Sequence, residues 1–257
     1  LTHLGLGIVF TLPLVSRDAG VKFFRFNAGM AAILNAIGYV FLPDDYTGGT
    51  AQIGLVALAV SEAATIVYWA TVGRTLASIR PLIVGIACVG GVIAIVAQAL
   101  AASAAWGSVT QTLTVLSFLS SAAFLGGACT AMVLGHWYLV IPSMAVKHLQ
   151  WIVKVHIGSM LIRIVVVGIA IAAGIAVWTP ELGPRFDRYI FSVSGIFFWQ
   201  RILFGLAGPA VLSYLTWETA KIQSTQSATG ILYVDFFTVV VGEVLAKYLL
   251  LATRMPV

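Results

Sequence analysis

Long apolar runs separated by short polar breaks make up nearly the whole chain. Each run is roughly 20–30 residues long, which suits a helix better than the alternating, roughly ten-residue strands of a membrane barrel. The runs predict eight helices, at approximately residues 1–15, 22–42, 51–73, 80–105, 109–141, 147–178, 188–216 and 226–251. None of the breaks is long enough for a further domain. We therefore expect one transmembrane helical domain over residues 1–257.

Composition narrows the class of protein to an integral membrane protein. Hydrophobic residues make up 60% of the chain and charged residues 9%, whereas a soluble domain has roughly 25% charged residues. The mean hydropathy is +1.03. The net charge of +5 does not indicate nucleic-acid binding, because the basic residues lie in short loops between apolar segments. The lipid bilayer is therefore the first expected partner.

The distribution of basic residues predicts the orientation. An even number of helices puts both termini on one side, and eight basic residues fall on the opposite side: Arg17, Lys22, Arg25, Arg74, Arg80, Lys147, Lys154 and Lys221. Four fall on the side of the termini: Arg185, Arg188, Lys247 and Arg254. The positive-inside rule then places both termini on the outer, periplasmic side of a bacterial inner membrane. Because the first helix is short, we also expect a few residues before Leu1.

Small residues in the predicted fourth and fifth helices predict close packing of helix backbones. They are Gly85, Gly90, Gly91, Ser117, Ser120, Ser121, Gly126 and Gly127. The two cysteines, Cys88 and Cys129, lie inside apolar runs and are typical of small buried residues. The chain has no CxxCH, HExxH or GxSxG motif and no nucleotide-binding loop, so an enzyme that acts alone is not expected.

Four polar side chains fall near the middle of apolar helices, where lipid cannot satisfy them. They are Glu62, Arg163, Gln200 and Arg201. An uncompensated arginine at that depth costs about 3 kcal/mol or more. We therefore expect Glu62 to pair with Arg163 or Arg201, with Gln200 completing the hydrogen bonds. Two interpretations remain: a structural ion pair, or a proton or substrate path through the bundle.

A polar stripe on the sixth helix strengthens the second interpretation. His156, Ser159 and Arg163 are spaced i, i+3 and i+7, so they share one helix face. That face should be directed at a cavity or a partner, since lipid offers no hydrogen bonds. The last helix adds Asp235 and Glu243, two turns apart. Lys247, at i+4 from Glu243, also offers a way to neutralise that carboxylate within its own helix.

The histidines are candidates to ligate a haem iron or to hydrogen-bond a quinone. His136 and His156 lie roughly 6 Å and 13 Å from the inner ends of their helices at 1.5 Å per residue, so a shared b-type haem requires tilted helices. His3 is expected at the outer end of the first helix, too far away to share it. A quinone needs only one or two hydrogen-bonding groups for its carbonyl oxygens. At the inner end His136 with Tyr138 or His156 can supply them, and elsewhere His3 with Asp235 or Glu243 can do so.

The last helix, "VVVGEVLAKYLLL", resembles the closing helix of the NrfD/PsrC/DmsC group of quinol-interacting membrane anchors. In that group a glutamate is followed four residues later by a basic residue and an aromatic, here Glu243, Lys247 and Tyr248. His3 is similar to the histidine that such anchors place near the quinone. The resemblance implies a quinone pocket, no haem or metal in this subunit, and an iron–sulfur or cytochrome partner.

The sequence therefore predicts a membrane subunit of a respiratory or photosynthetic electron-transfer complex that binds quinone. Its place in an enzyme would be, at most, that of the quinone-reactive subunit of an oxidoreductase. The alternatives are a b-type haem subunit, a transporter with a site at the bilayer midplane, and an accessory subunit whose polar residues only fix helix register.

Overall fold

The computed structural model describes residues 1–41, 48–141, 144–176 and 186–257, which are helical and contain no strand. The helices are α1 (Thr2–Thr11), α2 (Gly20–Val40), α3 (Gly49–Thr71), α4 (Arg80–Ala102), α5 (Ser108–Val140), α6 (Lys147–Ala176), α7 (Phe186–Ile190), α8 (Ile196–Ile202), α9 (Gly208–Lys221) and α10 (Thr225–Thr253). Each predicted apolar run coincides with helical structure. Arg185 and the predicted ends at residues 42 and 178 lie outside the described residues.

Six helical spans among the described residues are long and apolar enough to cross a membrane. They are Gly49–Thr71, Arg80–Ala102, Ser108–Val140, Lys147–Ala176, Ile196–Lys221 and Thr225–Thr253. The bent pair Thr2–Leu14 and Arg17–Val40 gives a seventh when it is taken as one span. The chain is thus a multi-pass helical membrane protein, as the composition predicted, while eight spans and a periplasmic location of the termini stay predictions.

The outside of the bundle is largely apolar, and the two acids of α10 lie inside it. Phe237, Val244 and Leu251 are 67%, 64% and 84% exposed on α10, where lipid can cover them. On the same helix, Asp235 and Glu243 are buried. This reverses the pattern of a soluble protein, because hydrocarbon cannot satisfy a polar group and another helix can.

The chain reverses direction sharply between α1 and α2. A 3₁₀ turn at Leu12–Leu14 ends the first arm, and the two arms meet at 109°. Two indole groups hold this corner: Trp137 Nε1 donates to the Ala19 carbonyl and Trp151 Nε1 to the Leu14 carbonyl, each at 3.0 Å. The corner is therefore fastened to α5 and α6, which supply the two tryptophans.

Four helices form a ring whose interior holds most of the buried charges. α5 packs against α6 and α10, and α9 also packs against both, so α6 and α10 face each other across the ring. α1 packs on the outside of α5, and α2, α3 and α4 follow beyond it. α8 and α9 are joined by a π-helical turn, Leu203–Ala207, and Pro209 then occupies the first turn of α9. The helical span Ile196–Lys221 runs through this turn, and Pro209 supplies no backbone N–H for a hydrogen bond there.

Glycines set the closest contacts between helices. A Cβ atom added to Gly7 on α1 would lie 2.1 Å from the Ala122 carbonyl oxygen on α5. A Cβ atom on Gly242 of α10 would lie 2.2 Å from the Gly205 Cα atom in the π-helical turn. Both crossings therefore require glycine. Of the small residues predicted to pack closely, Gly126 faces the Gly7 backbone with no room for a Cβ atom, whereas a Cβ atom on Gly85 would meet no atom within 4 Å.

Candidate functional site

Two arginines share one glutamate inside the ring. Arg163 on α6 donates from Nε and Nη2 to the two Glu243 oxygens at 2.9 and 3.1 Å. Arg201 on α8 donates from Nη2 to Glu243 Oε1 at 2.9 Å. Both arginines are fully buried and Glu243 is 3% exposed. The carboxylate thus joins α6, α8 and α10 at mid-height in the bundle.

Serines on α5 complete the coordination of Arg163. Its Nη1 donates to the Ser117 hydroxyl at 2.8 Å and to the Ser117 carbonyl at 3.2 Å, and the Ser120 hydroxyl lies 3.4 Å away. Sequence reasoning gave these serines only a packing role. Their spacing along α5 does place both on one helix face, but small size and hydrogen bonding give the same signal in a sequence.

The predicted pairing of Glu62 with an arginine is wrong. Both arginines bind Glu243, which faces α6 across the ring, whereas Glu62 lies on α3 outside it. Glu62 is half-buried, and its Oε2 has no hydrogen-bond partner among the described residues. Gln200 is also half-buried, and it takes no part in the hydrogen bonds of the two arginines among the described residues.

His3 lies deeper than predicted. Its ring packs edge-on against Phe118 of α5, with centroids 4.7 Å apart, and its Nδ1 is 3.4 Å from the Ser121 hydroxyl. Ser121 is 13 residues into α5, about 20 Å from the helix start at 1.5 Å per residue. His3 is therefore not at the outer end of the bundle, because the described part of α1 packs against the middle of α5.

Lys247 adds a third cation to this region. Its Nζ lies 4.0 Å from the centroid of the Phe118 ring, in a cation–π geometry. The hydrogen bonds of Glu243 come from the two arginines, so Lys247 is not its main neutralising partner. Arg163, Arg201 and Lys247 thus place three basic groups around one carboxylate.

A second buried pair lies on the same two helices as Arg163 and Glu243. His156 Nε2 is 2.7 Å from Asp235 Oδ2, and both side chains are fully buried. The imidazole stacks on Phe124 with parallel planes and centroids 5.4 Å apart. His156 precedes Arg163 by seven residues on α6, so the two pairs are about 10 Å apart along the bundle. The interior therefore holds a column of ionisable groups.

Ser159, the third member of the predicted stripe, belongs to its own helix. Its hydroxyl donates to the His156 carbonyl at 2.7 Å. His156 and Arg163 are directed into the ring, as the stripe predicted. Asp235 and Glu243 meet them from α10. The prediction of an inward-facing polar stripe is confirmed for the two ionisable residues.

His136 does not approach His156. It is exposed on α5, and its Nδ1 is 3.0 Å from the hydroxyl of Tyr233 on α10. His156, in contrast, is buried against Asp235 and Phe124. A haem iron needs two histidine nitrogens that face each other, so this pair does not fit a b-type haem. The hydrogen-bonding partner of His136 is therefore Tyr233 rather than His156.

Tyr138 holds the turn between α5 and α6 and does not join His136. Its hydroxyl accepts from the Leu149 amide at 3.2 Å and donates to the Ala145 carbonyl. The side chain is 3% exposed. His136 and Tyr138 lie on different faces of α5 because two residues subtend about 200° on a helix.

No group of three or more histidine, cysteine, aspartate or glutamate side chains suited to a metal ion occurs among the residues the structure describes. Cys88 and Cys129 are free thiols, partly and fully buried respectively. Comparison of the chain with protein-family models, with curated proteins and with solved structures gave no match. Function must therefore be argued from the site itself.

Proposed function

We propose that the chain is the quinone-reactive membrane subunit of an electron-transfer complex. The observation that supports this most is that the exposed His136–Tyr233 pair and the buried His156–Asp235 pair lie at nearly the same level of the bundle. Tyr233 and Asp235 are two residues apart on α10, so one helix carries both pairs, on different faces. A hydrogen-bonding pair on the lipid side of α10 and a proton-holding pair on its buried side are what quinone chemistry requires.

The residues around His136 and Tyr233 fit a quinone headgroup. The imidazole and the phenol provide two hydrogen-bonding groups for carbonyl oxygens. Val140 and Phe237, one turn away on the same two helices, are 61% and 67% exposed and keep the surroundings apolar. A ligand with an isoprenoid tail can therefore reach this pair from the lipid phase. When bound, a quinone supplies two-electron, two-proton redox chemistry.

Within the bundle, the His156–Asp235 pair holds and passes the protons. His156 Nε2 and Asp235 Oδ2 are 2.7 Å apart, a hydrogen bond along which a proton can pass from one partner to the other. Stacking on Phe124 fixes the imidazole plane. The Arg163–Glu243–Arg201 cluster, one level further along, fixes α6, α8 and α10 relative to α5, and so positions the pair.

The proposal includes the expected topology and partners. Eight spans with both termini on the periplasmic side put His136 near the cytoplasmic face of a bacterial inner membrane. The electrons are exchanged with an iron–sulfur or cytochrome subunit, because the chain has no cysteine motif for a cluster of its own.

The test measures quinone bound to the purified protein. Lipid extracts of the wild-type protein should contain quinone in stoichiometric amount. The double substitution His136→Phe with Tyr233→Phe removes two hydrogen bonds at about 1 kcal/mol each, which lowers affinity roughly 30-fold. Tyr214→Phe is the matched control, since Tyr214 is 61% exposed on α9. Equal quinone content in wild type and double variant would refute the proposed site.

A transporter for small anions is the second candidate, and a separate observation favours it. Arg163, Arg201 and Lys247 surround a single carboxylate, and Arg201 Nε makes no hydrogen bond to any residue the structure describes. Arg201 also precedes the π-helical turn, a feature often found at functional sites. A quinone-free, redox-inactive protein with an anion-dependent thermal shift that Arg201→Gln abolishes would select this candidate.

A further inference from the structure

On α6, α9 and α10, four polar atoms of fully buried side chains have no hydrogen-bond partner within the described protein. They are His156 Nδ1, Asp235 Oδ1, Ser213 Oγ and Thr216 Oγ1. All four side chains are fully buried. Buried polar groups are almost always hydrogen-bonded, to protein or to internal water, so this group needs a partner.

The two hydroxyls on α9 differ from most others in the bundle. A serine or threonine in a helix usually donates to the carbonyl four residues earlier. Thr65, Thr114 and Thr229 do so, at 2.7 to 2.8 Å. Ser213 and Thr216 make no such bond. Because both are buried on the helix that closes the ring between α6 and α10, their hydroxyls are available to the ring interior.

The helix register places Ser213 level with the His156–Asp235 pair. Gln150 on α6 donates to the Ala220 carbonyl at 3.1 Å, and Lys154 Nζ lies 5.1 Å from the Trp217 ring centroid. These contacts align residue 156 of α6 with residues 214–215 of α9. At 1.5 Å per residue, Ser213 is about 2–3 Å from the level of His156. Thr216 lies about one turn nearer the end of α9 at Lys221.

We infer that these four groups bind a short chain of internal water molecules, which connects the His156–Asp235 pair to the Lys221 end of α9. Internal waters typically make about three hydrogen bonds to otherwise unsatisfied polar groups. Imidazole, carboxylate and two hydroxyls supply that number for at least one water molecule. The chain of water is a proton path, and this role rests on the proposed function, whereas the water site itself does not.

The direction of the path follows from the hydroxyl positions. Thr216 is displaced from Ser213 toward Ala220, whose carbonyl accepts from Gln150. Beyond it lie Lys221 and the polar turn that joins α9 to α10. The route therefore leads to the end of the bundle that carries most of the basic loops, and protons for a quinone would enter from that side.

The water site is tested without any activity. Met160 is 4% exposed, lies one turn from His156, and packs with Val239 and Ala210. Synchrotron radiolysis oxidises a buried methionine efficiently when bound water beside it supplies the hydroxyl radical. We expect Met160 to be oxidised in the wild-type protein, and Ser213→Ala with Thr216→Val to reduce that oxidation to background. Thr219→Val, whose hydroxyl donates to the Leu215 carbonyl, is the control.

Unoxidised Met160 in the wild type, or equal oxidation in the double variant, would overturn the water site. The proton role is then tested in the assembled complex. The double variant should slow quinol turnover on the order of tenfold, with Thr219→Val at the wild-type rate. If the double variant loses Met160 oxidation but keeps full turnover, the path is overturned. A wild-type complex that does not react with quinol refutes the proposed function and leaves the radiolysis result unaffected.

Discussion

Replacing Glu243 with glutamine should destabilise the bundle strongly. The carboxylate receives three hydrogen bonds from Arg163 and Arg201, all at 2.9 to 3.1 Å, at a site closed to solvent. Glutamine is nearly the same size, so packing is preserved while the negative charge is lost. Arg163 keeps its hydrogen bonds to Ser117 and Ser120, but Arg201 keeps no ionic partner. Removing one member of a buried ion pair costs about 3–5 kcal/mol.

The assay is reversible unfolding in mixed micelles, followed by circular dichroism, together with the thermal midpoint in detergent. Glu218→Gln is the matched control, because Lys221 and Glu218 also form an ion pair, at 2.7 Å, but their side chains are 46% and 44% exposed. That substitution should change the free energy of unfolding by less than about 1 kcal/mol. If Glu243→Gln also stays within about 1 kcal/mol of wild type, the buried cluster is not what stabilises the ring.

A double-mutant cycle tests the interaction between Arg201 and Glu243 directly. Arg201→Gln removes the cation that Glu243→Gln leaves without a partner. The double variant should therefore be more stable than the sum of the two single effects implies, by the coupling of roughly 0.5–3 kcal/mol expected of residues in one network. Additive effects would show that Arg201 and Glu243 do not interact in the membrane.

One substitution tests the close helix crossing at Gly242, and another tests the buried His156–Asp235 pair. Gly242→Ala should abolish assembly, because its Cβ atom would lie 2.2 Å from the Gly205 Cα atom. Gly230→Ala is the control and should be neutral, because its Cβ atom would have no atom within 4 Å. Size-exclusion chromatography of the expressed variants distinguishes these outcomes. Asp235→Asn keeps an acceptor for His156 and should leave the thermal midpoint nearly unchanged, while it slows quinol turnover on the order of 100-fold. Unchanged turnover would show that the His156–Asp235 pair takes no part in the reaction.

The sequence predicted the helices well because the membrane makes the signal simple. A run of apolar residues long enough to span hydrocarbon must be helical, since no other structure satisfies its backbone there. The same rule predicted that Arg163, Arg201 and Asp235 face the interior, and each is fully buried. Burial of a charge is a property of one helix and its solvent, so one helix suffices to predict it.

Partner identity could not be predicted in the same way. Glu62 and Glu243 are both acids near mid-helix, and only the packing of α10 opposite α6 makes Glu243 the partner of Arg163. His136 posed a similar problem. Tyr138 follows two positions later, on a different face of the helix. Both side chains end in polar groups, so the sequence does not indicate which of the two faces the interior. Tyr233, the actual partner of His136, is 97 positions away in the chain.

The attachment of α1 to α5 has a consequence for how the protein is made. His3 and Thr11 find their hydrogen-bonding partners on α5, at Ser121 and Thr130, 118 and 119 positions later in the chain. During synthesis, α1 to α4 are therefore in the membrane before those partners have left the ribosome. Until α5 is inserted, the His3 and Thr11 side chains lack these partners and lie close to lipid or to the insertion machinery. Docking of α1 on α5 consequently cannot precede the synthesis of α5, and α6 to α10 follow later still.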